Sequence, residues 1–308
     1  GTAFKNITGK PLGKIILGIY ALYFLFLAMQ DLRDIAELVR QYYIPMAPIK
    51  FISLPLIVTI LYGLFKGIEV IARTSRYVFV VTISSFVLFM TLILFLNRVH
   101  VDNLVPLFQI DFKKILFKGM QTSYSIPFGV SFVMFFIAPL VKDKNQILIK
   151  GYAGRLLAGG ALIITILVAF LIINPVIIPT SLSPSLIVTR RIDAPNFIQR
   201  FDLFALALYI LSSVVKSSIL FYGTYSCVDG IVKIKGKARP IIYIVIAIIV
   251  LTLSQSLFQH YTYSLEFVTK YVVAYIHLTF ELFLPTILLI LTFIVKPKPT
   301  TEPPISVE

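Results

Sequence analysis

Two ionisable side chains stand deep inside long apolar runs, Lys216 and Glu281. A charge at membrane depth is costly and marks either a functional group or a member of a buried pair. Lys216 lies 14 residues into the run Asp202–Val228. A rise of ~1.5 Å per residue puts it about 20 Å from that end, farther than a lysine stem can snorkel. Glu281 lies 14 residues into Phe267–Lys296, so the two charges share a depth. The spacing predicts a Lys216–Glu281 pair, with Lys216 on a stripe of Tyr209, Ser212, Ser213 and Gly223. His277, one turn before Glu281 on the same face, could share a proton with it. A coupling role and a purely structural buried pair both account for these residues.

The second chemical feature is an interruption. Between the apolar stretches Ile115–Met120 and Phe128–Val141 lies Gln121-Thr122-Ser123-Tyr124-Ser125-Ile126-Pro127, with Gly129 close behind. Pro127 removes a donor and crowds the preceding turn, while Gly129 frees the backbone. Unwound backbone at membrane depth is tolerated where it is buried or lines a wet cavity, and broken helices of this kind build transporter substrate sites. A proline kink repaired by Thr122, Ser123 and Ser125 is the simpler alternative.

The elements that must carry these groups follow from composition. Of 308 residues, 58% are hydrophobic and 14% charged, and the mean hydropathy is +0.93. Soluble domains carry about a quarter charged residues, so the chain is an all-α polytopic membrane protein. A soluble enzyme, a nucleic-acid binder, a disulfide scaffold and a disordered chain are set aside. The net charge of +14 sits between the apolar runs, where it sets orientation and meets anionic headgroups. Cys227 is the single cysteine, so no intrachain disulfide forms; Trp is absent, leaving 16 Tyr and 26 Phe for an interfacial belt.

A bilayer core of roughly 30 Å needs about 20 apolar residues per helix. Eight spans are predicted: about 12–30, 48–71, 76–97, 114–141 (broken), 147–176, 202–228, 239–258 and 267–296. Together they form one domain, and the proline-rich tail 297–308 is expected to be a disordered cytoplasmic segment. Asp31–Arg40 is expected to continue the first helix into the interface, supported by Arg33 and Glu37 at i, i+4. Sixteen loop Lys and Arg fall on one side and eleven on the other, which places both ends of the chain in the cytoplasm. Residue 1 is Gly and no signal peptide precedes the first span, so either a processed start or, by preference, a fragment is expected.

Catalytic signatures are missing. No G-x-S-x-G, H-E-x-x-H, P-loop or paired cysteine ligands occur, and His100, His260 and His277 are scattered, so no enzyme, metal or cofactor is expected. Gly151, Gly154, Gly159 and Gly160, and Gly63-x-x-x-Gly67, read as close helix packing.

Several runs, in order, carry a resemblance. They are Gln30-Asp-Leu-Arg-Asp-Ile-Ala-Glu-Leu-Val39, Ile44-Pro-Met-Ala-Pro48, Gly67-Ile-Glu-Val-Ile-Ala-Arg73, Phe201-Asp-Leu-Phe-Ala-Leu-Ala-Leu-Tyr209 and Val215-Lys-Ser-Ser218. From about Gly9 to Lys296 the chain resembles the B-subunit permeases of spore germinant receptors, in the amino acid–polyamine–organocation superfamily. Val130, Ala47 and Tyr209 stand where that family often has Glu, Thr and Trp. The resemblance implies a LeuT-type inverted-repeat fold of ten helices, of which this chain would carry helices three to ten, the broken span being helix six. It further implies a receptor subunit that binds a small germinant, an amino acid by expectation, and triggers spore germination. Its site would draw on Thr122, Ser123, Tyr124, Ser125 and Gly129, with Tyr20, Tyr23 and Phe24 from the first span and Ser213 and Lys216 from the sixth. Lys216 would supply positive charge where relatives by fold bind sodium. The implied partners are an A subunit, a C-subunit lipoprotein and the bilayer of the spore inner membrane. A proton-coupled amino-acid permease, driven through Glu281 or His277, is the alternative.

Overall fold

A computed structural model describes residues 4, 8–96, 99–105, 112–113, 116, 119–120, 128–141, 144–173, 175, 177–178, 183–190, 201–234, 238–257 and 267–295. Its long elements are helical: α1 Lys10–Tyr42, α2 Ile49–Lys66, α3 Ile68–Leu96, α4 Lys144–Ile172, the short α5 Pro184–Arg190, α6 Phe201–Val232, α7 Arg239–Ser256 and α8 Leu284–Val295. Ahead of α8 run two π-helical segments, Val268–His277 and Thr279–Phe283. Among the described residues seven helices are long and apolar enough to cross a membrane, counting Val268–Val295 as one.

The helix α1 opens with Pro11 in its first turn, where a missing N–H costs no hydrogen bond. It runs 33 residues without interruption, about 50 Å. That exceeds a bilayer core by ~20 Å, so the charged stretch Asp31–Arg40 does continue the first helix. Gly67, at φ 100° and ψ 159°, separates α2 from α3. An L-residue rarely adopts that conformation. Gly67 is therefore a hinge between two helices rather than half of a packing motif. A Cβ at Gly151, Gly154 or Gly160 would meet nothing within 4 Å, which overturns the expectation that they pack closely against another helix.

The fourth predicted span is not a long α-helix where it is described. Gly129–Phe136 and Ala138–Leu140 form 3₁₀ turns instead. Eight consecutive 3₁₀ residues exceed the usual three or four. At ~2 Å per residue they cover about 16 Å, too little to cross a bilayer. Pro139 has no N–H to close an α-helical bond back to Phe135.

The described residues form two compact units. The first comprises Gly1–Ile71, Leu116–Lys144 and Val214–Glu308. In it α1, α2 and α7 pack against one another. The Arg239 guanidinium lies over the Tyr225 and Tyr243 rings at 5.4 and 6.0 Å, tying the start of α7 to the end of α6. The second unit comprises Ala72–Ile115 and Asn145–Ser213. Its core is apolar: Phe89, Ile93, Val168, Ala169, Ile172, Ile173, Val188 and Leu208. The His100 N–H bonds the Leu171 carbonyl at 3.0 Å, and so fastens the chain beyond α3 to the end of α4.

Candidate functional site

The first unit buries polar side chains along one face of α1. Tyr20, Phe24, Leu27 and Asp31 recur at helical spacing and are all buried. Tyr20 stacks on Phe132 of the 3₁₀ segment with ring centroids 4.9 Å apart, and Phe24 meets Phe136 edge-on at 5.2 Å. These expected site residues are thus packed side by side against the described half of the broken span. Gly223 of α6 lets that packing close: a Cβ there would lie 2.6 Å from Val133 Cγ2 and 3.2 Å from Phe24 Cδ2.

One polar cluster joins α1 to the π-helical segment. The Tyr23 hydroxyl donates to Glu281 Oε1 at 2.6 Å and lies 2.7 Å from His277 Nδ1. His277 Nδ1 is in turn 3.3 Å from Glu281 Oε1. All three side chains are buried, and Phe280 stacks on the Tyr23 ring at 4.7 Å. The Glu281 carboxylate lies directly against Gly129, so that any Cβ at that position would overlap it. The expected neighbourhood of His277 and Glu281 is present, and Gly129 is the residue that makes room for it.

Backbone chemistry holds this arrangement in place. In a π-register the N–H of residue 285 would bond the Phe280 carbonyl, but residue 285 is proline. The Tyr20 hydroxyl donates to that carbonyl instead, at 3.1 Å. A part-buried acceptor left over by a local irregularity is thereby satisfied across the helix interface.

The second cluster corrects the predicted ion pair. Lys216 Nζ donates to Asp31 Oδ1 at 2.7 Å, and the Ser217 hydroxyl donates to Asp31 Oδ2. Lys216 is therefore paired with Asp31 rather than with Glu281, whose Oε1 is engaged by Tyr23 and His277. Shared depth does not make a pair. The direction a side chain takes around its helix decides it, and the uninterrupted α1 carries Asp31 to Lys216. The buried face of α6 runs through Ser213, Ser217, Leu220, Thr224 and Cys227, with Lys216 half-exposed at its edge and Tyr209 exposed. Of the predicted stripe, Ser213 and Gly223 are buried, whereas Tyr209 is exposed and Ser217 and Thr224 carry the buried face on.

Further along α1, Arg33 Nη2 donates to Glu37 Oε1 at 2.7 Å, as the i, i+4 spacing predicts, and Arg40 Nε reaches Glu37 Oε2 at 3.0 Å. Arg33 and Glu37 are buried. Thr122, Ser123, Tyr124 and Ser125 lie outside the described residues. Asp31 and Ser217 were not singled out from the sequence. The signal was available, since Asp31 falls on the face already marked by Tyr20 and Phe24.

Comparison with known proteins identifies the family of the chain. The family model described as "Spore germination protein" matches residues 2–260. Spore germination protein KB of Bacillus subtilis (strain 168) is 25% identical over 289 residues, covering 92% of this chain and 76% of that protein. Spore germination protein YndE of the same organism is 25% identical over 247 residues, 78% of this chain and 67% of the relative. Spore germination protein B2, also from B. subtilis, is 24% identical over 208 residues, 64% and 53% of the two chains. No solved structure matches the chain.

Proposed function

The chain belongs to the spore germination protein family, and from that premise we propose that it is the membrane subunit of a nutrient germinant receptor. It binds a small germinant, an amino acid in this reading, in a transporter-like pocket, and binding triggers germination. One observation carries the reading beyond family membership. The described half of the interrupted span begins at Gly129, adopts 3₁₀ turns, and is seated on the Tyr20–Phe24 wall of α1. Short, irregular helical pieces at membrane depth build ligand sites in transporters of LeuT type, the fold proposed here with this span as its helix six. Thr122, Ser123, Tyr124, Ser125 and Gly129 would contact the germinant, with Tyr20, Tyr23 and Phe24 behind them. Lys216, held by Asp31, supplies fixed positive charge in place of a bound sodium ion.

Ligand occupancy shifts a conformational equilibrium only through differential affinity for its two states. In this proposal the partners read that shift: a receptor A subunit and a C-subunit lipoprotein in the spore inner membrane, with both ends of this chain cytoplasmic. Spores of the source organism lacking this gene, exposed to a panel of single amino acids and sugars, test the proposal through dipicolinate release. Loss of one nutrient response with the others kept is the expected result. Unchanged germination in a strain without a paralogue overturns it. The buried Tyr23–His277–Glu281 cluster favours one rival, a proton-coupled amino-acid permease. Concentrative uptake into proteoliposomes under a pH gradient distinguishes the two.

A further inference from the structure

We infer that α6 turns one side to water at membrane depth, and that Ser212 and Lys216 on that side take the carboxylate of a small ligand. The helix is exposed on two opposite sides. Phe204 and Leu211 stand exposed on one of them, an apolar side that suits lipid. Tyr209 and Lys216 are exposed, and Ser212 partly so, on the other. At about 100° per residue the two sides lie roughly half a turn apart. The second side presents a phenol, a hydroxyl and an ammonium, which is not a surface for hydrocarbon.

The donors on that side make the case. Lys216 sits at the middle of the 32-residue α6, about 23 Å from either end at ~1.5 Å per residue. Its ammonium carries three hydrogens and accepts nothing. Asp31 Oδ1 takes one of them at 2.7 Å, and the other Asp31 oxygen is engaged by Ser217. Among the described residues the ammonium bonds no second acceptor and the Ser212 hydroxyl bonds none, while 51% of the Lys216 side chain is exposed. A methylene stem lies against lipid at little cost. Two ammonium hydrogens and a serine hydroxyl do not, because hydrocarbon offers no acceptor.

Water reaching this side of α6 satisfies all three. Ser212 and Lys216 are at i and i+4, one turn apart on the same side, so their donors can serve one group. A group that accepts from an ammonium and a hydroxyl together is a carboxylate. Asp31 fixes the ammonium and leaves two of its hydrogens for that group.

The inference deepens the proposed germinant site, on which it rests for the kind of ligand. Its test uses no germinant, so its failure and the failure of that reading are distinguishable. Single-cysteine variants of the chain, all carrying Cys227→Ala, are placed in lipid nanodiscs. They are treated with a sulfonate-bearing and a trimethylammonium-bearing methanethiosulfonate, each rate being taken relative to a free thiol. Tyr209→Cys and Ser212→Cys are expected to react. Leu211→Cys, next in the chain and at nearly the same depth, should react at least about tenfold more slowly, since the reactive thiolate is disfavoured in apolar surroundings. At Ser212→Cys the sulfonate reagent should be favoured about tenfold by the nearby positive charge. Lys216→Gln should abolish that preference and Lys216→Arg should keep it. Equal rates at Ser212→Cys and Leu211→Cys, no preference for the sulfonate, or a preference that survives Lys216→Gln each overturns the inference.

Discussion

The two units differ in how much ionisable chemistry they bury. The second packs an apolar cluster, Phe89 and Ile93 against Val168, Ile172 and Leu208, and among charged side chains buries Asp202. The first buries Asp31, bonded by Ser217 and by the half-exposed Lys216, together with Arg33 and Glu37, and Tyr23 with His277 and Glu281. Helix α1 is the least uniform in character and the most enclosed, with 56% of its most apolar stretch buried, against 17% for α4. In a bilayer the apolar side chain has no reason to leave the lipid, whereas the polar one must find a partner inside the protein. The first unit holds the buried Arg33–Glu37 pair and the Tyr23–His277–Glu281 cluster, and the second an apolar cluster.

Substitutions can break or sharpen that contrast. The largest effect is expected at Gly129→Ala, where the new methyl and the Glu281 carboxylate cannot share one space. A destabilisation of about 3 kcal/mol should appear in unfolding of the detergent-solubilised protein, with Gly129→Ala/Glu281→Ala recovering part of it. A smaller loss, about 2 kcal/mol, is expected for Asp31→Ala, which strands the Lys216 ammonium and the Ser217 hydroxyl. The corrected pairing sharpens this test. Asp31→Lys with Lys216→Asp should restore what either single reversal loses, and Lys216→Glu with Glu281→Lys should restore nothing.

In the apolar unit the expected responses are milder. Ile93→Val removes one methylene from a fully buried site and should cost about 1 kcal/mol. Arg190→Gln breaks a 3.2 Å pair with Asp202 in which the arginine is well exposed, and should change stability by no more than about 0.5 kcal/mol. An ordering with Ile93→Val more damaging than Asp31→Ala would mean that apolar packing rather than buried polar pairing holds this protein together.

Much of the architecture is legible in the chain alone. Six of the eight predicted apolar runs coincide with a long helix to within about five residues at most ends, because crossing a bilayer fixes a minimum length. The third starts at Ile68 rather than near Arg76, since Gly67 ends one helix and the next begins at once, and the fourth is no long helix where it is described. The predicted break at residues 121–127 lies outside the described residues, while the 3₁₀ turns of Gly129–Phe136 and Ala138–Leu140, where Pro139 lacks an N–H, were not foreseen in the apolar half Phe128–Val141. The His277–Glu281 contact follows from i, i+4 spacing, as does Arg33–Glu37.

What the sequence determined by itself depends on neighbours along one chain: the lengths of most spans, the i, i+4 contacts, and how far along its helix each charge lies. Tertiary structure alone decided the partners across helices. Lys216 goes to Asp31, Tyr23 goes to His277 and Glu281, and Tyr20 goes to the carbonyl that Pro285 leaves open. Depth along a helix can be counted from sequence, but rotation about its axis relative to another helix cannot. A single residue turns a side chain by about 100°, so equal depth left the partner of Lys216 open between Glu281 and Asp31.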